Sequence, residues 1–282
     1  MWFWSKPASP HGAVNVIGQG AREAEALATF GRWGIKRLYG SYATLPVEAP
    51  EKVAAWNRRL HGEGIRSEAL FADGNAITPA GRATFLRQVD ERVLAFNATR
   101  RDAAERFDGI ALDIEPHALP RWKAETAAVR REMLGDLLGL CEALRAHLDA
   151  NGGRELAISA ALAYWLDRLP PEGRVGWKSA QDRDEWFKRL AQSVASISLM
   201  AYERSAPTAI LEATAWERAN FPGRVVTALR ARMGVEWRVL GDLQRVLPEV
   251  EAVATHGIDL ENYELLRLAE AGAAPGFSSP PK

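Results

Sequence analysis

Short apolar runs alternate with longer amphipathic segments along almost the whole chain. The runs have the length and the flanking turn residues that are typical of buried strands. They predict eight strands, over residues 1–4, 35–40, 65–71, 107–115, 155–162, 196–202, 224–229 and 257–262. Residues 13–17 compete with 1–4 for the first strand. We prefer 1–4, because that choice leaves a loop and a full helix before the second strand.

The segments between these runs repeat apolar residues at helical spacing. They predict helices over about 19–33, 48–62, 79–105, 121–150, 182–194, 206–220 and 240–255, and a short one near 263–271. Alternating strands and helices imply right-handed crossovers and a parallel sheet. Eight such units predict an α/β fold of the closed (β/α)₈ or TIM barrel type. We expect one barrel domain over 1–272 and a flexible tail over 273–282.

Composition excludes several classes of function. The 282 residues carry 36 basic and 36 acidic side chains, so no global field attracts nucleic acid or an anionic membrane, and we expect neither as a partner. Cys141 is the only cysteine, which rules out an internal disulfide and a thiolate metal cluster. The five histidines have no metal-ligand spacing, so we expect no metal.

Cofactor and targeting signals are also missing from the sequence. The segment around Gly18 and Gly20 begins like a dinucleotide loop but has Glu23 in place of the third glycine, so we expect no cofactor. No apolar run approaches the roughly 20 residues of a membrane helix. The first residues lack the pattern of a secretion signal, which predicts a cytoplasmic protein if Met1 is the natural start. No pattern indicates an oligomeric state.

The fourth predicted strand carries the candidate chemistry. Side chains alternate along a strand, so Asp113 and Glu115 share one face with Ala111, while apolar residues occupy the other. The apolar face must meet the surrounding helices, which directs both acids into the barrel at its carboxyl-terminal mouth. Burial and mutual repulsion should raise the proton affinity of at least one of them. Glu115, nearest the strand end, is the better placed general acid.

A structural interpretation competes with this one. Asp113 and Glu115 could form a buried ion pair with one of the many arginines. We favour chemistry, because burying two carboxylates is costly and barrel interiors are normally aliphatic. Asp108 starts the same strand and points the other way, which suits a structural role at least as well as catalysis.

Two motifs resemble glycoside hydrolase family 18, the chitinases and endo-N-acetylglucosaminidases. Residues Asp108 to Glu115 resemble the family's strand-four pattern DGxDxDxE, and Met200 to Glu203 resemble its strand-six pattern Met-x-Tyr-Asp. The resemblance implies a retaining hydrolysis in which the substrate's own 2-acetamido oxygen attacks the anomeric carbon. By position, Glu115 would be the acid and base, Asp113 would orient the acetamido group, and Tyr202 would donate its hydroxyl to the acetamido oxygen.

The sequence departs from the family in three places. Ala111 replaces the middle aspartate, Glu203 replaces the aspartate after the tyrosine, and the end of strand eight offers Glu261, Asn262 and Tyr263 instead of a tryptophan. These departures leave three alternatives open: a two-carboxylate hydrolase that uses Glu115 and Glu203, a catalytically silent sugar-binding barrel, and a barrel hydrolase acting on another bond.

Further residues are candidates for binding the predicted partner, a glycan. Aromatic side chains form platforms for sugars, and several fall at or just beyond predicted strand ends: Trp4, Tyr39, Tyr42, Tyr164 and Trp165. His117 could contact substrate, tune Glu115 or cap the loop. We predict Glu203, His117, Trp4, Tyr39 and Asn262 as substrate-binding residues.

Overall fold

The computed structural model describes residues 1–254 and 256–272. Eight parallel strands follow one another around a single sheet in chain order. They are β1 (Trp2–Phe3), β2 (Arg37–Gly40), β3 (Arg66–Phe71), β4 (Gly109–Leu112), β5 (Ala157–Ala163), β6 (Ser196–Met200), β7 (Val225–Arg230) and β8 (Ile258–Glu261). The amine of Met1 lies 3.5 Å from the carboxylate of Asp259, which brings the two edge strands together. The predicted (β/α)₈ barrel is confirmed.

Helices fill the connections between the strands. They are α1 (Ala13–Val16), α2 (Gly20–Arg32), α3 (Leu45–Glu48), α4 (Pro50–Gly62), α5 (Pro79–Val89), α6 (Ala95–Ala98), α7 (Pro120–Ala124), α8 (Ala127–Ala150), α9 (Ala180–Ser193), α10 (Pro207–Ala213), α11 (Ala215–Asn220), α12 (Leu240–Glu251) and α13 (Tyr263–Glu270). A π-helical turn, Asp90–Leu94, joins α5 to α6. Residues 13–17 lie largely in α1, so residues 1–4 supply the first strand as predicted.

The outer face of the barrel is the apolar one. On and just beyond β4, Ile110, Leu112 and Ile114 are all buried, and so is the inner face of α8, including Leu137 and Cys141. This burial follows from the alternation read in the sequence, since one face of each strand must pack against helices. It fixes which way the acids of strand four point.

The barrel interior is more polar than expected. Glu68 is fully buried there with its carboxylate 3.6 Å from Arg37, and the hydroxyl of Tyr39 donates to Asp259 at 2.7 Å. Ser198 donates to the same carboxylate at 2.9 Å. The expectation of an aliphatic interior is wrong around Glu68 and Asp259. Burial of an acid is therefore not by itself a sign of catalysis in this barrel.

Asp108 and Gly109 have structural roles at the start of β4. The carboxylate of Asp108 accepts from the amide of Ser67 at 2.7 Å and lies 2.8 Å from the ring of His61. A Cβ on Gly109 would lie 2.5 Å from the carbonyl oxygen of Ala157 on β5.

We therefore expect Gly109→Ala to push β4 away from β5. Overpacking of this kind costs about 1–3 kcal/mol, and urea denaturation would measure it. Gly31→Ala is the matched control, because nothing lies within 4 Å of a Cβ built there. Equal stability of the two variants would contradict the strand-packing role of Gly109.

The predicted flexible tail over 273–282 lies outside the described residues. Within the described ranges, no helix combines the length and apolar character needed to cross a membrane.

Candidate active site

A cavity of about 310 Å³ opens at the carboxyl-terminal mouth of the barrel. This mouth pocket collects side chains from six strand ends. They are Trp4 after β1, Asp113, Glu115 and His117 after β4, Ala163, Tyr164 and Trp165 from β5, Met200, Tyr202 and Glu203 from β6, Arg230 from β7 and Glu261 from β8. The residues of both sequence motifs, far apart in the chain, meet here.

Asp113 lies at the bottom of this pocket. It is 8% exposed, and its Oδ2 accepts a hydrogen bond of 3.0 Å from the indole nitrogen of Trp2. Its Oδ1 is buried with no hydrogen-bond donor among the described side chains. Burial, followed by the charges of Glu115 and Glu261, raises the pKa of Asp113 well above its ordinary value.

Asp113 and Glu115 act as a pair. The interaction between their carboxyl groups favours the protonated form of Asp113 and the ionised form of Glu115. The ion pair that the structure gives for these two acids joins Glu115 to His117, and the charge of Arg230 lowers the pKa of Glu115 without outweighing burial. A buried ion pair with an arginine is found instead at Glu68, with Arg37.

His117 tunes the surroundings of Glu115. Its Nε2 lies 3.3 Å from Glu115 Oε2, and its ring packs edge-on against Trp165 with centroids 5.3 Å apart. Burial, helped by Arg174 and Lys123, lowers the pKa of His117 to about 4. The imidazole is therefore neutral at pH 7 and does not neutralise Glu115. Burial also raises the pKa of Glu115, and the charge of Glu261 adds to the rise.

Tyr202 contributes a neutral hydroxyl. Burial and the charges of Glu261, Asp113 and Glu115 raise the pKa of Tyr202 well above its ordinary value. The guanidinium of Arg230 lies over its ring, 5.1 Å from the centroid. The ring is thereby fixed, and the hydroxyl remains a hydrogen-bond donor at neutral pH.

The sequence patterns did not indicate the roles of Arg230 and Glu261. Among the described residues, Arg230 is the only arginine or lysine that lines the mouth pocket, and its Nε donates to Glu236 at 2.7 Å. Glu261 shares the inward face of β8 with Asp259, as Glu115 shares one face with Asp113 just beyond β4. Glu261 could have been identified from the sequence, because it lies two residues after Asp259 and therefore on the same face of the strand.

The structure separates the predicted substrate-binding residues into two groups. Trp4, His117 and Glu203 line the mouth pocket. Glu203 has φ of 66°, in the left-handed region that few non-glycine residues adopt. Tyr39 and Asn262 are instead buried away from it.

The burial of Tyr39 and Asn262 has specific causes. Tyr39 is 1% exposed and bonded to Asp259 inside the barrel. The side chain of Asn262 accepts from the amide of Leu265 as the N-cap of α13, and its amide donates to Glu261 at 2.8 Å. We therefore leave both out of the candidate site. Tyr42 is buried against Gly40 and is also excluded.

The indole of Trp2 contacts Asp113 at the bottom of the mouth pocket. The resemblance to family 18 places an aspartate at Ala111 as a proton-sharing neighbour of Asp113, and here the indole of Trp2 bonds Asp113 instead. This donor holds down the pKa of Asp113. Trp2→Phe should therefore raise that pKa further, and we expect the acid limb of the pH–activity profile to shift upward by roughly one unit.

A matched control separates positioning from simple destabilisation. Trp33 also donates its indole hydrogen to a carboxylate, that of Glu270, at 2.9 Å and far from the pocket. Trp33→Phe should cost stability, about 1–3 kcal/mol, without moving the pH profile. If both variants leave the profile unchanged, Trp2 does not position Asp113.

Metal binding has no support in the described ranges, which hold no group of three or more histidine, cysteine, aspartate or glutamate side chains arranged to bind an ion. The chemistry available to the mouth pocket is proton transfer between carboxyl groups, hydrogen bonding from Tyr202 and stacking on aromatic faces.

Solved structures share the fold of this chain. The PgaB (BpsB) glycoside hydrolase domain from Bordetella bronchiseptica is 13% identical, with a TM-score of 0.51 and coverage of 90% of this chain and 92% of that chain. The ICChI chitinase from Ipomoea carnea is 13% identical, with a TM-score of 0.52 and coverage of 95% and 96%. A chitinase from Bacteroides thetaiotaomicron is 13% identical, with a TM-score of 0.52 and coverage of 86% and 89%.

These likenesses define the class of fold. The protein is a (β/α)₈ barrel with the architecture of chitinases and glycoside hydrolase domains. The resemblance of its strand-four and strand-six motifs to family 18 is thus matched by a resemblance in fold. No protein-family model matches the sequence, and a comparison with curated proteins finds no match.

Proposed function

We propose that this protein is a glycoside hydrolase that acts on a glycan containing amino sugars, with Glu115 as general acid and base. The observation that carries the proposal is the pairing of Glu115 with Asp113 at the mouth of the barrel, where burial raises the pKa of both carboxyl groups. The glycoside hydrolase fold supports it. The partner is a glycan, and the aromatic faces of Trp4 and Trp165 offer stacking surfaces for its sugar rings.

Glu115 performs the proton transfers. Because its pKa is raised, it retains a proton closer to neutral pH than an exposed glutamate does. It donates that proton to the oxygen of the departing sugar as the glycosidic bond breaks. It then takes a proton from the water that attacks the anomeric carbon. The neutral His117 at 3.3 Å leaves Glu115 free to alternate between these two states.

Asp113 and Tyr202 support a substrate-assisted route. The 2-acetamido oxygen of the cleaved sugar attacks the anomeric carbon, and the Tyr202 hydroxyl donates a hydrogen bond to that oxygen. Before the bond breaks, the proton held by the Asp113–Glu115 pair lies on Glu115, and it passes to the leaving oxygen as the positive oxazolinium forms. Asp113 is then an anion that stabilises the oxazolinium, and the ionised Glu115 can accept one proton from water. The unpartnered Oδ1 of Asp113 and the protonated hydroxyl of Tyr202 suit these roles.

The two-carboxylate alternative uses Glu115 and Glu203. Glu203 lines the mouth pocket, but it is exposed, and the carboxylate that raises the pKa of Glu115 by its charge is Glu261. These observations favour the substrate-assisted route. A catalytically silent sugar-binding barrel is the second candidate function, favoured by Ala111 at the position of the missing aspartate.

A direct assay tests the proposal. The protein is incubated with a fluorogenic N-acetylglucosaminide and with chitooligosaccharides, and released product is measured. Hydrolysis that depends on Glu115 supports the enzyme. Binding of the oligosaccharides without hydrolysis supports the silent barrel, and absence of both rejects a role on these glycans.

A further inference from the structure

Acidic side chains outnumber basic ones among the described residues that line the mouth pocket. Four acidic side chains line it, Asp113, Glu115, Glu203 and Glu261, against one guanidinium and one imidazole. The guanidinium, on Arg230, is already bonded to Glu236 outside the lining. A neutral glycan requires no such charge, so the imbalance bears on which glycan the pocket accepts.

Glu261 is one of two lining acids that the proposed reaction does not use, and the other, Glu203, is exposed. The side chain of Glu261 is 17% exposed and faces the mouth pocket from the end of β8. Its Oε1 accepts from the amide of Asn262 at 2.8 Å. Its Oε2 is buried without a hydrogen-bond donor from the described chain, and its ion pair with Arg230 Nε is long, at 3.9 Å.

A cationic hydrogen-bond donor stabilises a buried carboxylate oxygen that has no other donor. Leaving such an atom without a partner is costly, whereas a hydrogen bond between two charged groups is among the strongest in proteins. The resemblance to family 18 places a tryptophan at this strand end, which offers a flat apolar surface to a neutral sugar. Glu261 offers a charge in its place.

We propose that Glu261 binds the ammonium group of a hexosamine unit whose nitrogen carries no acetyl group. The substrate is then a partly de-N-acetylated glycan. This inference rests on the proposed function, because it assigns the substrate class of the same pocket. Since the substrate-assisted route needs an acetamido group on the cleaved sugar, the best substrate carries both acetylated and free amino units.

A series of oligosaccharides tests the inference without any mutation. Hexamers of β-1,4-linked glucosamine that are fully acetylated, half acetylated or fully free are compared at about pH 6, where the amines are protonated. We expect kcat/KM for the half-acetylated hexamer to exceed that for the fully acetylated one by about 10-fold or more. Added salt should reduce this advantage, because it screens the ion pair.

Glu261→Gln tests the residue. The amide keeps the shape and the contact with Asn262 but removes the charge, so the ratio between half-acetylated and fully acetylated hexamers should fall to about one. Glu212→Gln, which changes an exposed acid outside the pocket, should keep the wild-type ratio. A ratio that survives Glu261→Gln overturns the assignment to this residue.

Binding separates this inference from the proposed function. Tryptophan fluorescence of the Glu115→Gln variant reports binding of each hexamer without turnover, because two indoles line the mouth pocket. Cleavage or binding of the fully acetylated hexamer as good as that of the amine-bearing ones overturns the inference and leaves the hydrolase intact. Glu261-dependent binding of the amine-bearing hexamers without cleavage supports the inference and rejects the hydrolase. If no hexamer is bound or cleaved, both are rejected.

Discussion

Replacing Glu115 by glutamine is expected to lower kcat by about 10²- to 10⁴-fold, the usual contribution of general acid–base catalysis. The amide occupies the same space but can neither donate a proton to the leaving oxygen nor accept one from water. KM should change little, because the aromatic walls and Tyr202 remain in place. Steady-state hydrolysis of a chitooligosaccharide measures both constants.

The stability of the same variant provides the first check. Burial raises the pKa of Glu115, so the folded protein already favours its neutral form, and a neutral amide should leave the melting temperature unchanged or raise it. Glu125→Gln, at an exposed position, is the matched control and should retain full activity. Activity of Glu115→Gln within about tenfold of the wild type would contradict the role as acid and base.

Asp113→Asn should have the second largest effect and act in opposite directions on activity and stability. Activity should fall by about 10²-fold, because asparagine cannot supply negative charge beside the oxazolinium. The amide oxygen can still accept the bond from Trp2, so the local geometry is retained. The kinetic loss therefore reports charge and proton transfer and not a collapsed pocket.

The stability effect follows from the raised pKa of Asp113. Between the unfolded and the folded pKa, the folded wild type binds a proton that the unfolded chain has released, so its stability falls as pH rises through that window. Asparagine has no such dependence. At pH 8 we expect the variant to be more stable than the wild type by about 1–3 kcal/mol, and the difference should disappear below about pH 4.

Urea denaturation at several pH values measures this difference. Asp167→Asn is a suitable comparison, because burial also raises the pKa of Asp167, which lines a different cavity. The Asp167→Asn variant should be more stable than the wild type at high pH and should retain its hydrolytic activity. An Asp113→Asn variant that is less stable than the wild type by the same amount at every pH would contradict the assigned pKa direction.

The strands and the two principal acids could be predicted because their signals are local. Alternation along β4 directs Asp113 and Glu115 inward, and the same rule applied to β8 would have indicated Glu261. Two patterns on strands four and six suggested one site, since all strand ends of a barrel open at one mouth. No long-range distance was needed for these inferences.

The positions of Tyr39 and Trp2 show where local reasoning fails. Tyr39 is near the end of β2, yet its register pairs it with Trp2 and Glu68, and Glu68 pairs with Gly109, four residues before Asp113. Tyr39 is therefore inside the barrel and not at its mouth. The height of a residue along the barrel axis is set by the stagger between neighbouring strands. That stagger depends on closure of the whole sheet.

Periodicity within single strands and helices was thus enough to derive the barrel and the inward direction of its catalytic candidates, because it is a property of neighbouring residues. The contact of Trp2 with Asp113, the engagement of Arg230 by Glu236 and the unpartnered oxygen of Glu261 arise only when distant segments are packed together. Those contacts set the proton affinities and the charge of the pocket, since both depend on which groups share a buried volume.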